Sequence, residues 1–161
     1  MRRIPQKKCK GQTCKGRPAV ISVEENSKRF TVSVLNGERP SKVRIDAKPF
    51  ADLLKCRCDY AIKVSEEEVF FFVELKGADV VKAAEQLAYT IENLNVYRHL
   101  LDYSPYKSRH ACIVSSHGMK PAISTRYQVY KRRIENCEFQ VKCKVRQLTA
   151  TVNSAGVVEY M

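Results

Sequence analysis

No stretch of this 161-residue chain is apolar for longer than Val69-Phe70-Phe71-Phe72-Val73, far short of the roughly 20 residues a membrane-crossing helix needs. Arg2 and Arg3 open a basic N-terminus, but no apolar core follows them, so no secretory signal is expected. The chain is therefore predicted to be soluble and cytoplasmic or otherwise intracellular, with no membrane partner. A phosphate-cradling glycine motif is missing, which argues against a nucleotide hydrolase. No Ser or Cys has a histidine at a recognisable spacing, which argues against acyl transfer. No internal repeat is present. The seven cysteines are an odd number, and without a secretory signal they predict no disulfide framework.

What is present is a globular composition, 44% hydrophobic and 29% charged, at a length suited to one domain. The charge is lopsided: 29 Lys and Arg against 17 Asp and Glu, a net +12. Residues 1–17 contain Arg2, Arg3, Lys7, Lys8, Lys10, Lys15 and Arg17 and no acid. Between Arg98 and Arg146 there are 11 basic residues against Asp102, Glu135 and Glu138. Such an excess predicts a polyanionic partner, most simply nucleic acid. Residues 1–18 are expected to form a basic, flexible arm, and 19–161 a single domain.

Along that domain, 19–24 and 29–35 alternate apolar with polar residues, as half-buried strands do. Asn36-Gly37 gives a turn signal, and 42–46 alternates again, so an antiparallel meander is predicted. A helical turn is expected near 49–54. Strands are predicted over 58–64 and 69–76, joined by the solvated loop Ser65-Glu66-Glu67-Glu68. Asp79 is a plausible N-cap for a helix whose stripe is Val80, Ala83, Ala84, Leu87, Ile91 and Leu94, running to about 100. A short buried strand over 111–115, a helix from Pro121 to about 136 and a last strand over 139–151 complete the reading. The class is α/β (an α+β mixed sheet): a central sheet flanked by helices.

The chemistry concentrates where the acids do. In a strand, side chains two apart share a face, so Glu74 and Lys76 point one way and Val73 and Leu75 the other. An apolar strand that gives two same-face positions to a carboxylate and an ammonium is not optimising burial. Asp59 starts the neighbouring strand, within reach if the two form a hairpin. Two converging carboxylates suit Mg2+, and an amine beside them can orient water and offset charge on a phosphoryl transition state.

Asp59, 14 intervening residues and then Glu74-Leu75-Lys76-Gly77 resemble the PD-(D/E)XK nuclease superfamily, with its restriction-endonuclease-like fold. The likeness is clearest over 58–94. It implies that Asp59 and Glu74 hold Mg2+ or Mn2+, that the Leu75 carbonyl adds a ligand, and that Lys76 handles the nucleophilic water. It also implies that Gln86, on the following helix, joins the site, and that the substrate is DNA rather than RNA. Cys58 stands where the superfamily often has proline. Its usual N-terminal helix, which often donates another acid, is replaced by strands, leaving Glu24, Glu25 and Asp46 as candidates for that acid.

The competing reading is a same-face surface ion pair on an edge strand. Its functional counterpart is a non-catalytic nucleic-acid-binding protein that keeps the fold. A third reading places zinc on Cys9, Cys14, Cys56 and Cys58, although the spacings are not those of zinc knuckles; Cys112, Cys137 and Cys143 read as small buried hydrophobes. Arg98, Lys107, Arg109, Lys131, Arg132 and Arg133 are further candidates for phosphate contact. Tyr97, Tyr103 and Tyr106 read equally as base-stacking groups or as packing, and His99, His110 and His117 as surface groups near phosphate. Cutting both strands of a duplex would be met by a homodimer or higher symmetric oligomer.

Overall fold

The computed structural model describes residues 16–35, 37–118 and 124–161. Of the expected basic arm only 16–18 lie within it, and these are exposed; Arg2, Arg3, Lys7, Lys8, Lys10, Lys15, Cys9 and Cys14 lie outside the described residues.

Among the described residues, nine strands and three helices follow in order: β1 (Ala19–Glu25), β2 (Lys28–Val34), β3 (Ser41–Arg44), α1 (Phe50–Leu53), β4 (Tyr60–Val64), β5 (Val69–Lys76), α2 (Val80–Val96), β6 (Ser108–Ser115), α3 (Thr125–Asn136), β7 (Gln140–Val145), β8 (Gln147–Val152) and β9 (Val158–Tyr160). They build two mixed sheets, five-stranded β3-β4-β5-β6-β7 and four-stranded β1-β2-β8-β9. The β4–β5 hairpin is antiparallel, while β6 and β7 continue the sheet in parallel. The mixed α+β class is as the sequence predicts.

β5 explains its own sequence. It is the central strand of the larger sheet, and every residue from Val69 to Leu75 is buried. Phe70 and Phe72 enter the core under α2 and α3, whereas Phe71, Val73 and Leu75 enter a second core against the smaller sheet. Phe30 of β2 meets Phe71 across that gap, with ring centroids 5.5 Å apart. A strand buried on both faces reads as a continuous apolar run, which disposes of the edge-strand reading.

Three expectations are corrected. The meander does not form: β1 and β2 pair, but β3 joins β4 in the other sheet, and β2 takes β8 as its parallel neighbour. The expected last strand is two strands, because Arg146 takes a positive φ of 62° and carries the chain from one sheet to the other. Helices cover one face of the central sheet only; the other is covered by the second sheet, whose inward row Phe30, Val32 and Val34 is fully buried. Asp79 does cap α2, accepting from the Lys82 backbone N–H at 2.8 Å. The helix ends at Val96, short of 100, where Tyr97 leaves helical geometry. Ser124 caps α3, accepting from the Tyr127 N–H; Pro121 lies outside the described residues. No described helix is long and apolar enough to cross a membrane.

Candidate active site

The antiparallel register pairs Tyr60 with Val73, so its continuation sets Asp59 opposite Glu74. Asp59 is fixed from three directions. Its Oδ2 accepts from the Leu75 backbone N–H at 2.7 Å. Its carbonyl accepts from Ile45 N–H at 2.8 Å, which ties it to the exit of β3. The preceding Cys58 N–H donates to Thr90 Oγ1 at 2.7 Å, and that hydroxyl donates to the Gln86 carbonyl. Strand β4 and helix α2 are thus pinned together at the residues that matter.

Glu74 lies beneath this point at 1% exposure, and its Oε2 has no hydrogen-bond partner among the described residues. Burial, and then repulsion from Asp59, push its carboxyl up to about 8 against the pull of Lys76. Asp59 is raised as well, chiefly by burial and against its Leu75 hydrogen bond. Lys76 Nζ stands 3.5 Å from Glu74 Oε1 and donates to Gln86 Oε1 at 2.7 Å. Gln86 in turn donates through Nε2 to the Arg57 carbonyl at 2.8 Å, which sets its oxygen toward the lysine. A buried acceptor without a donor is costly, and a proton, a water or a cation would relieve it.

Asp59, Lys76 and Gln86 open onto a cleft of about 320 Å³ that Asp46, Lys55, Arg57 and Lys82 complete. The sequence-level quartet of Asp59, Glu74, Lys76 and Gln86 is therefore assembled. Asp46 is brought to the rim, although it is ion-paired with Arg44. Lys55 and Arg57, in the loop before β4, and Lys82, on α2 and paired with Glu85, were not singled out in the sequence, because nothing local marks a surface base as facing a cleft. Among the described residues no group of three or more His, Cys, Asp or Glu side chains gathers as a metal site would. The hard donors that the register sets opposite each other are the carboxylates of Asp59 and Glu74, a pair that fits Mg2+ or Mn2+ when waters complete the shell.

The other candidates are elsewhere. Val69 pairs with Ser108 and Lys76 with Ser115, so Lys107 and Arg109 sit at the opposite edge of the sheet from Lys76. Lys107 pairs with Glu68 and Arg109 with Glu138, and Arg98 and Arg109 share a separate cleft with Asp102. Lys131 pairs with Glu135, and Arg133 pairs with Glu92 while lying over Tyr89 and Tyr130; Arg132 neighbours them on α3. Tyr103 is buried and Tyr97 and Tyr106 pack against the core, which favours packing over stacking on bases. His110 is not a surface group: it is 2% exposed and hydrogen-bonds Tyr160 and Ser108. His99 and His117 are exposed. Cys58 is a fully buried core residue and Cys56 lines the cleft, so the two do not present an outward Cys-x-Cys pair. Cys112 is buried as expected, while Cys137 and Cys143 are partly exposed.

No family model, curated protein or solved structure matches this chain.

Proposed function

We propose that this chain is a metal-dependent nuclease that hydrolyses phosphodiester bonds of nucleic acid, preferentially DNA, at the cleft where Asp59 and Lys76 open above the buried Glu74. The observation that carries the reading is Glu74, a buried carboxylate with an orphaned oxygen opposite a second carboxylate. Asp59, Glu74 and the Leu75 carbonyl would hold Mg2+ or Mn2+, which when bound polarises a phosphoryl oxygen and lowers the pKa of water. Lys76, aimed by Gln86, orients the attacking water and offsets negative charge as it builds on phosphorus. Lys55, Arg57 and Lys82 around the cleft supply positive potential for the polyanion.

The order of β4, β5, α2 and β6, an antiparallel hairpin followed by a helix and a parallel strand, supports a restriction-endonuclease-like core. The second sheet on its far face and the N-terminal strands in place of a helix are departures from that pattern. A non-catalytic nucleic-acid-binding protein is favoured by the Glu74–Lys76 ion pair and by the lack, among the described residues, of a third acidic or imidazole donor.

Incubation with plasmid, single-stranded DNA and RNA across Mg2+, Mn2+, Ca2+ and EDTA separates the two. Cleavage that requires Mg2+ or Mn2+ and falls by about 10²-fold or more in Glu74→Ala and Lys76→Ala, with binding retained, supports the nuclease. Binding without cleavage by the unaltered chain supports the alternative.

A further inference from the structure

Lys28 occupies a position that its neighbours mark as core. It continues the inward row of β2, whose members Phe30, Val32 and Val34 are fully buried, and is itself 4% exposed. Its ammonium reaches only neutral acceptors, the Asn26 carbonyl at 3.2 Å and Ser116 Oγ at 3.5 Å. It forms no ion pair among the described residues, and the remaining 1–15, 36 and 119–123 contain no Asp or Glu. Buried lysines are rare unless paired. An ammonium in this position lacks an anion.

The surroundings are built to receive one. Lys28 borders a cleft of about 410 Å³ together with Ser27, Ser116, His117 and Arg146, with no carboxylate in its lining. The walls come from three segments held by backbone hydrogen bonds: Arg29 N–H to the Arg146 carbonyl, and Arg146 N–H to the Ser115 carbonyl, both at 2.9 Å. Ser27 and Arg146 both take positive φ, at 63° and 62°. Such backbones persist when the surroundings dictate them.

The cleft lies at the same end of the central sheet as Lys76, on the face turned to the second sheet, whereas the candidate active site is on the face turned to α2. Lys76 is opposite Ser115 in the parallel register, and Ser116 N–H donates to the Gly77 carbonyl at 3.0 Å. Adjacent strands lie about 4.8 Å apart, and a duplex advances about 3.4 Å per nucleotide of one strand. A polynucleotide that runs round this end of the sheet from Lys76 would bring a backbone phosphate to Lys28.

We propose that Lys28, Arg146 and His117 form a phosphate subsite that holds the nucleic-acid backbone at this end of the sheet, round the sheet's rim from the candidate active site. The subsite rests on the proposed nuclease reading for its place on the substrate, but it is measurable as binding alone. A phosphodiester and free inorganic phosphate offer the same oxyanion chemistry, so both are used as probes.

The variants are Lys28→Met, which keeps the stem and removes the charge, and Arg146→Asn, which tolerates the positive φ. Affinity for a fluorescein-labelled duplex is read by anisotropy in Ca2+ across a salt series, after circular dichroism has established that each variant is folded. Each substitution is expected to weaken binding by about eightfold to tenfold at 0.1 M salt and to lower the salt slope by about one. In Mg2+ the loss should fall on KM, with kcat within about twofold. Unchanged affinity and slope in folded variants overturn the subsite. So does inorganic phosphate protecting the unaltered protein but not Lys28→Met while duplex binding is equal, since the ligand is then a small anion. If the unaltered chain cuts nothing yet Lys28→Met still loses affinity and slope, the nuclease reading fails and the subsite stands; normal cleavage with unchanged binding by the variants has the opposite meaning.

Discussion

Gln86 Oε1 accepts from Lys76 Nζ at 2.7 Å while Gln86 Nε2 is spent on the Arg57 carbonyl. The amide is thereby held with its oxygen toward the lysine, and Lys76 is held over the cleft. Gln86→Leu releases the ammonium without touching either carboxylate. Its kcat should fall by about tenfold to a hundredfold through lost orientation, with KM within about threefold. Steady-state rates in Mg2+ check this, and equal loss in Gln86→Leu and Lys76→Ala would mean that the amide does more than aim the lysine.

Glu74 makes the metal-free protein sensitive to alkali. Its folded-state pKa, near 8 instead of 4.5, means that the folded protein holds this proton more tightly than the unfolded chain. That contribution is fully present below about 4.5 and disappears as pH rises through about 8. Glu74→Gln keeps the shape and removes the titration. In EDTA it should melt higher than the unaltered protein at pH 8 and nearly equal at pH 4.5. Thermal melts over that range provide the check.

A divalent cation should reverse the penalty. Mn2+ or Mg2+ at about 100 times its Kd stabilises a folded protein by about 2.7 kcal/mol, or roughly 5–10 °C in Tm at this size. The rise should vanish in Asp59→Asn and in Glu74→Gln, and should be greater at pH 8 than at pH 6, where the ion competes with a proton. Calorimetric melts with and without metal measure it.

His110 sets the acid limit. Burial pushes its imidazole down to about 4, so the unfolded chain takes up this proton first. The stability it contributes is complete above about 6.5 and is lost as pH falls through about 4, with a slope of up to about 1.4 kcal/mol per pH unit. Because Glu74 has the opposite slope in part of that window, the measurement belongs in a Glu74→Gln background. There, His110→Gln should flatten the acid limb of a denaturation series.

The parts of this architecture visible in the sequence are those with local causes. Seven consecutive buried residues, Val69 to Leu75, leave an apolar run; the parity of Glu74 and Lys76 follows from the pleat; Asp79 announces α2 by the chemistry of its cap. Features with distant causes were not visible. Nothing near β2 says that its partner is β8, more than a hundred residues on. Arg146 is not a turn residue by type, so the break between β7 and β8 left no mark. His110 is satisfied by Tyr160, 50 residues later, and without that hydroxyl in view a histidine among bases reads as surface. Lys28 carries no mark in the sequence, because only the second sheet gives its row an inside.

The five-stranded sheet has one apolar core on each side of it, and Phe70, Phe72, Phe71 and Val73 divide themselves between the two from one strand. Neither layer can peel away without wetting a surface the other depends on. Chain opening should therefore be all-or-none, with the amides of β5 the last to exchange with deuterium. Glu74 sits near the end of that segment and Asp59 is bonded to its Leu75 N–H, so the geometry of the acidic pair should survive the fluctuations that loosen the periphery.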